Sequence, residues 1–117
     1  MVKIYLSGAI SNKDIKEAKK EFSDAEKRII KVIKNHKFKK GEYEIKNPFK
    51  ILKLNKKYKR EDYLREDIRQ LIDCHYLINI ENEGWKKSSG CKLENKIAKA
   101  LNIRIRKLSY FEAKPFY

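Results

Sequence analysis

Short apolar runs alternate with longer segments of helical periodicity along the chain, and this alternation restricts its fold more than any other feature. The first run, VKIYLSG, spans Val2–Gly8 and ends at a glycine, which is typical of a buried strand. Between about Lys13 and His36, apolar residues recur at spacings of three and four, which predicts an amphipathic helix. Ser11 or Asn12 is the candidate N-cap of this helix.

The same alternation continues to the C-terminus. The further predicted elements are a strand in YEIKNP that ends at Pro48, a helix at Glu61–Cys74, a strand at Tyr76–Ile80, a helix that contains Glu94, and a strand at Ile103–Ile105. A lysine-rich stretch up to Arg60 has no clean period and is expected to be a loop with a helical turn. Strands that alternate with helices favour a parallel sheet covered on both faces, with right-handed crossovers. We therefore expect a single α/β domain over residues 1–117.

The positive net charge raises the question of nucleic-acid binding. The chain has 30 Lys+Arg against 16 Asp+Glu, a formal net charge of +14. Many of the lysines fall on the polar side of the first predicted helix, where a solvated face is the usual explanation. The run KLNKKYKR, Lys53–Arg60, interleaves Tyr58 with cations, as nucleic-acid-binding loops do. Nucleic-acid binding therefore stays an alternative.

Other functional classes have little support in the sequence. No run approaches the ~20 apolar residues that a membrane helix needs, so we expect a soluble cytoplasmic protein without a membrane partner. Cys74 and Cys91 lack metal-site or redox-motif spacing and are expected to stay reduced. His36 and His75 have no cysteine or histidine at ligand spacing, so we predict neither a metal nor an organic cofactor.

The turn after the first strand is a candidate ligand-binding segment. In open α/β sheets, ligands bind outside the carboxyl ends of the strands. The small residues of this turn allow a ligand to approach the backbone closely. The candidate residues are Ser7, Gly8, Ala9, Ile10 and Ser11.

The loop after the third strand is a second candidate, because it leads into the N-terminus of the helix that contains Glu94. Free amides, the positive end of the helix dipole, hydroxyl groups and ammonium groups together suit an anion such as a phosphate. The candidate residues are Trp85, Lys86, Lys87, Ser88, Ser89 and Gly90. Ser88 or Ser89 is also expected to cap the helix.

Two acids lie at or beside predicted apolar stripes. Glu94 is at the edge of its stripe, so it is either half-exposed or held in a pocket. Asp67 follows Leu64 by three residues and precedes Leu71 by four, which places it among inward residues. Two carboxyl groups near the same strand ends suit glycosidic-bond cleavage, with one as nucleophile or cation stabiliser and one as proton donor. On the residues alone, purely structural roles remain equally open.

Four segments together resemble a phage and bacterial domain family in the nucleoside 2-deoxyribosyltransferase-like superfamily. They are KIYLSGAIS, KNP, YLREDIRQLIDC and GWKKSSGCKLENKIAKAL. The superfamily includes nucleoside 2-deoxyribosyltransferases and deoxynucleoside 5′-monophosphate N-glycosidases. The resemblance implies a flavodoxin-like or Rossmann-like three-layer sandwich with a small, mostly parallel sheet of four or five strands. It also implies a homodimer or higher oligomer and no cofactor.

The resemblance assigns roles to individual residues. Glu94 matches the glutamate that attacks the sugar C1′, and Asp67 matches the aspartate that orients the substrate or donates a proton. Ser88 matches a serine that contacts the phosphate in the monophosphate N-glycosidases and is aspartate in transferases acting on free nucleosides. Tyr5 matches an aromatic residue near the base or sugar, and Gly8 matches the turn beneath the ligand.

The implied function is cleavage or transfer at the N-glycosidic bond of a 2′-deoxynucleoside or its 5′-monophosphate. The alternative is a nucleotide- or nucleic-acid-binding protein without catalysis. Three departures bear on the substrate: Ala9 stands where the N-glycosidases have a phosphate-binding serine, His75 replaces an aspartate, and Cys91 and Lys92 replace smaller residues.

The tail Tyr110–Tyr117 places four aromatic residues in a segment where Pro115 interrupts an ordinary helix. Such a tail is expected to be buried, either on its own chain or against a neighbouring subunit. Because related enzymes close each active site with a neighbouring subunit, we expect a dimer.

Overall fold

The computed structural model describes residues 1–10, 14–39, 41–51 and 59–116. Its elements are β1 Val2–Ser7, α1 Ile15–Asn35, β2 Tyr43–Lys46, α2 Pro48–Ile51, α3 Arg60–Leu71, β3 Tyr76–Asn79, α4 Ser89–Ala100, β4 Arg104–Lys107 and α5 Leu108–Ala113. The four strands found in these ranges form one parallel sheet in the order β2-β1-β3-β4. The chain is thus a compact α/β sandwich of the Rossmann-like or flavodoxin-like type, which confirms the predicted fold class.

Alternate residues of β1 face the two helical layers. Ile4 and Leu6 belong to a core cluster with residues of α1 and α5, whereas Tyr5 belongs to a cluster with Leu71 of α3 and Ala98 of α4. The sheet is therefore covered by α1 and α5 on one face and by α3 and α4 on the other. Because both of its faces are buried, the sequence of β1 is a nearly continuous apolar run.

The strand order reverses beside β1. This strand pairs with β2 on one side, with Tyr5 opposite Lys46, and with β3 on the other side, with Ser7 opposite Asn79. The chain moves from β1 to β2 in one direction and then crosses back over β1 to β3. In doubly wound sheets, such a switch point opens a crevice at the carboxyl ends of the strands.

Several predicted boundaries were wrong. Asp14 caps α1, because its carboxylate accepts the backbone N–H of Lys16, whereas the candidate caps Ser11 and Asn12 lie outside the described residues. The helix predicted to end at Cys74 ends at Leu71. The lysine-rich loop can be compared only in part, since residues 52–58 also lie outside the described ranges.

The C-terminal residues fold back onto their own chain. α5 buries Leu108 and Phe111 in the same cluster as Ile4. The Phe116 ring packs with its centroid 5.3 Å from that of Phe111 and 6.0 Å from that of Tyr76. These aromatic residues therefore have an intramolecular partner and do not require a second subunit for their burial. Within the described ranges, no helix is long and apolar enough to cross a membrane.

Candidate functional site

A cleft of about 840 Å³ opens at the carboxyl ends of β1 and β2. Its walls come from the turn after β1, the first turns of α1, the short helix α2, one side of α3 and the start of α4. This is the position that the strand order predicts for a ligand site. The cleft combines a buried acid, a second acid, apolar surface and several cations.

Glu94 is the buried acid of the cleft. Its side chain lies on α4 and is only 7% exposed. The Tyr5 hydroxyl donates a hydrogen bond to Oε2, and the Ser7 hydroxyl donates one of 2.9 Å to Oε1. Tyr5 and Ser7 are two residues apart on β1, so both side chains project toward the layer that contains α4. The glutamate is therefore a carboxyl group held in a pocket, not a half-exposed helix residue.

Burial raises the pKa of Glu94 from 4.5 to about 7. The charge of Asp67 adds to this rise, whereas the hydrogen bonds from Tyr5 and Ser7 favour the ionised form and lower the pKa. Burial and the two acids also raise the pKa of the Tyr5 hydroxyl well above its usual value. Tyr5 therefore stays protonated near neutral pH and acts on Glu94 only as a hydrogen-bond donor.

Asp67 is the second acid of the cleft. It is half-buried on α3, and its pKa rises from 3.8 to about 7, mainly through burial and further through the charge of Glu66. Because Asp67 also raises the pKa of Glu94, the two carboxyl groups interact. Near pH 7, one can be ionised while the other keeps its proton, the combination that a nucleophile and a proton donor require.

The start of α4 forms another part of the cleft. Ser88 is the N-cap, since its Oγ accepts the backbone N–H of Cys91 at 3.3 Å, and both Ser88 and Gly90 line the cleft. Ser89 does not line it, but its Oγ accepts a hydrogen bond of 2.6 Å from Nη2 of Arg60 at the start of α3. This bond joins the two helix N-termini at the cleft.

Three residues predicted for the anion site lie elsewhere. Trp85, Lys86 and Lys87 are not among the residues that line the cleft. The Lys86 ammonium lies 5.8 Å from the centroid of the Trp85 ring, so these two side chains contact each other on the loop before α4. The cation that the structure brings to the start of α4 is instead Arg60.

The side chain of Asn82 binds the backbone of the turn after β1. Its amide accepts the N–H of Ala9 and donates to the carbonyl of the same residue, both at 2.8 Å. Ala9 is buried, and these backbone groups are already bonded within the protein. Ile10 lines the cleft, whereas Ser11 lies outside the described residues.

Gly8 lines the cleft, and tight packing explains its lack of a side chain. A Cβ atom there would lie 2.7 Å from side-chain atoms of Ile80 and 2.9 Å from Cζ of Phe22. The glycine thus lets β3 and α1 close around the end of β1. From the sequence, Gly8 was expected only to let a ligand approach the backbone, and its close packing against Ile80 and Phe22 was not predicted.

Sequence reasoning missed much of the cleft wall. The apolar part includes Phe49 of α2 and both Tyr63 and Leu64 of α3. Among the described residues, the cations of the cleft wall are Lys16, Lys19, Lys50 and Arg60. The spacing of Leu64 marked it as inward, but nothing distinguished these cations from the other basic residues of the chain.

The described residues contain no group of three or more His, Cys, Asp or Glu side chains placed to hold a metal ion. Cys74 and Cys91 are buried free thiols, and burial raises the pKa of both.

Comparison with known proteins identifies a family of undefined activity. None of the curated proteins with which the chain was compared matches it. A family model described as "Domain of unknown function (DUF4406)" matches residues 2–107, which include every strand of the sheet and both acids of the cleft. The chain therefore belongs to the DUF4406 family.

Proposed function

We propose that the protein cleaves or transfers the N-glycosidic bond of a 2′-deoxynucleoside or its 5′-monophosphate. The observation that carries the proposal is Glu94, an acid in the cleft that Tyr5 and Ser7 hold in place, with Asp67 as a second acid of raised pKa. The resemblance to the nucleoside 2-deoxyribosyltransferase-like superfamily supports the same chemistry.

In the first step, an oxygen of ionised Glu94 attacks C1′ of the deoxyribose. The bond between C1′ and the base nitrogen breaks, its electron pair goes to the base, and protonated Asp67 supplies a proton to the departing base. The products are a free base and a deoxyribosyl ester of Glu94. Hydrogen bonds from Tyr5 and Ser7 hold the carboxylate in one orientation for this attack.

In the second step, an acceptor attacks C1′ and releases Glu94. If water is the acceptor, ionised Asp67 takes its proton and the product is deoxyribose, or deoxyribose 5-phosphate from a monophosphate. If a second base is the acceptor, ionised Asp67 takes the proton of the attacking nitrogen and the product is a new nucleoside or its monophosphate. The two outcomes share every protein group, so the acceptor that enters the cleft decides between hydrolase and transferase.

The start of α4 favours the 5′-monophosphate as substrate. Ser88 and Gly90 line the cleft beside the N-terminus of a helix, where backbone N–H groups and the helix dipole favour an anion. The Arg60 guanidinium, bonded to Ser89, adds a positive charge at the same place. The apolar surface of Phe49, Tyr63 and Leu64 suits the nucleobase.

We also propose that the protein acts in the cytoplasm as a homodimer without a cofactor. The dimer is inferred from the resemblance, because Phe111 and Phe116 of the aromatic tail that first suggested it pack on their own chain.

A binding protein without catalysis is the second candidate, and the net charge of +14 favours it. Such a protein would bind nucleotides or nucleic acid with an affinity that falls steeply with salt, and it would release no base.

The test is incubation of the purified protein with each common deoxynucleoside and its 5′-monophosphate, with and without a second base. Release of free base establishes glycosidic cleavage, and formation of a new nucleoside only when the second base is present establishes transfer. Salt-sensitive binding without free base from any substrate would favour the second candidate.

A further inference from the structure

We propose that the cleft has a second anion subsite on α1, so that the preferred ligand is a deoxynucleotide carrying more than one phosphate group. This proposal rests on the proposed function for the deoxynucleotide part of the ligand. The added element is the pair Lys16 and Lys19, which lines the cleft from the helical layer opposite to α3 and α4.

The positions of the cations separate this subsite from the start of α4. Lys16 and Lys19 belong to the first turns of α1, whereas Ser88, Gly90 and Arg60 belong to the helices on the other face of the sheet. A single 5′-phosphate at the start of α4 would therefore leave the lysines of α1 for a different anionic group. The cleft volume of about 840 Å³ lies toward the upper end of the range for small-molecule sites, roughly 300–1,000 Å³.

Lys16 and Lys19 lie in the first two turns of α1, where two positive charges do not stabilise the helix. Cations near a helix N-terminus oppose the helix dipole, and like charges three residues apart on one helix repel each other. Among the described residues, neither Lys16 nor Lys19 has an acidic partner within ion-pair distance. Lys50, by contrast, forms an ion pair with Glu26 and is partly neutralised. An anionic ligand would give the two ammonium groups a counter-charge within the cleft.

These cations do not offset the raised pKa of the two acids. The described residues contribute no lysine or arginine that lowers the pKa of Glu94 or Asp67, and both carboxyl groups keep a raised pKa. A second phosphate that reaches Lys16 and Lys19 would be carried either on a polyphosphate chain at the 5′ position or on the 3′ oxygen. Both positions would bring a phosphate group to the two lysines, and they differ in the ligand that carries this group.

Calorimetric binding to Glu94→Gln, which cannot form the glycosyl ester, tests the subsite independently of turnover. The probes are one deoxynucleoside as its 5′-monophosphate, its 5′-diphosphate and its 3′,5′-bisphosphate, the last representing a nucleotide within a strand. We expect one of the doubly phosphorylated probes to bind about tenfold more tightly than the monophosphate at low salt. A preference for the diphosphate indicates a free nucleotide, and a preference for the bisphosphate indicates a strand.

The decisive comparison is between two double variants in that background. Lys16→Gln with Lys19→Gln should remove the advantage of the second phosphate and leave monophosphate affinity within about threefold. Lys20→Gln with Lys27→Gln removes the same charge from exposed positions of α1 outside the cleft and should preserve the advantage. Equal affinity for all three probes, equal effects of the two double variants, or no binding of any probe would overturn the subsite. Failure of the proposed function would instead appear as absent base release by the wild-type protein.

Discussion

At the residue scale, the burial of Glu94 determines both its chemistry and its effect on stability. The folded protein raises the pKa of this carboxyl from 4.5 to about 7, so between these pH values the folded state binds more protons than the unfolded chain. Stability therefore falls as pH rises through this range, and the loss is complete above the folded pKa. The rise corresponds to about 3 kcal/mol for Glu94.

The expected consequence is that Glu94→Gln stabilises the protein at alkaline pH. Relative to wild type, the variant should gain up to about 3 kcal/mol in free energy of unfolding at pH 8.5 and little at pH 5, because glutamine cannot ionise. Urea unfolding at the two pH values measures this, with Glu83→Gln as a control at an exposed position. A difference between wild type and Glu94→Gln that does not change with pH would contradict the buried, high-pKa carboxyl.

Asp67 should control the alkaline side of the activity profile. The proposed mechanism requires ionised Glu94 and protonated Asp67, and both have a pKa of about 7, so kcat/KM should pass through a maximum near pH 7. Asp67→Asn should lower the rate about 10²- to 10⁴-fold and remove the decrease above pH 7. Glu83→Gln, at an exposed position outside the cleft, serves as the control. If Asp67→Asn keeps the wild-type profile, Asp67 is not the proton donor.

At the scale of secondary-structure elements, Ser88 caps α4 and is also the residue proposed to contact the phosphate. Its Oγ accepts the N–H of Cys91 and also borders the cleft. Ser88→Ala should reduce stability by about 1 kcal/mol through loss of the cap. It should also reduce the preference for monophosphate over nucleoside, because a hydroxyl beside the phosphate is lost.

Ser88→Asp separates the two roles. Aspartate is as good an N-cap as serine, so stability should be retained, whereas its negative charge should reverse the preference in favour of the nucleoside. Kinetics with a nucleoside and its monophosphate, together with urea unfolding, measure both effects. If each variant changes the rates on both substrates equally, Ser88 is a helix cap and not a phosphate contact.

The elements of the fold could be predicted from the sequence, because their apolar periodicity is a local property. Their ends were less predictable: Asp14, not Ser11 or Asn12, caps α1, and the short α5 was expected only as a buried tail. The state of Glu94 could not be decided at all from local pattern. Its partners Tyr5 and Ser7 are 89 and 87 residues away along the chain, so only the fold shows that the carboxyl is buried and bonded.

The cations of the cleft could not be predicted from the sequence for a different reason. The chain has 30 Lys+Arg, and neither Lys16 nor Arg60 differs in local pattern from residues on a solvated face. Their common location depends on the way that α1 and α3 approach the strand ends. The sequence drew attention instead to Lys86 and Lys87, which adjoin the start of α4 along the chain but do not line the cleft.

At the scale of the whole molecule, the C-terminal segment completes the core of one subunit. Phe111 is fully buried, and Phe116 packs beside it. The cleft itself is bordered by four helices and one turn of a single chain, so both acids and the start of α4 are already together in the monomer. Any contribution of a second subunit would add to this site and would not create it.

The proposed dimer has a direct test. Size-exclusion chromatography with light scattering at tens of micromolar should give twice the chain mass of 14.0 kDa. The same measurement at high salt checks that the association does not depend on surface charge alone. A mass of one chain at both salt concentrations would contradict the dimer and leave the proposed chemistry unaffected.

If Glu94 is the nucleophile, its replacement must stop the reaction, and this is measured by comparing base release by wild type and Glu94→Gln at pH 7. The substitution removes the attacking oxygen with little change in volume, so base release should be abolished while the thermal unfolding transition shows that the variant is folded. Wild type should release free base from at least one deoxynucleoside or monophosphate, and Glu94→Gln should release none above background. Activity of the variant within a few-fold of wild type would contradict this role of Glu94.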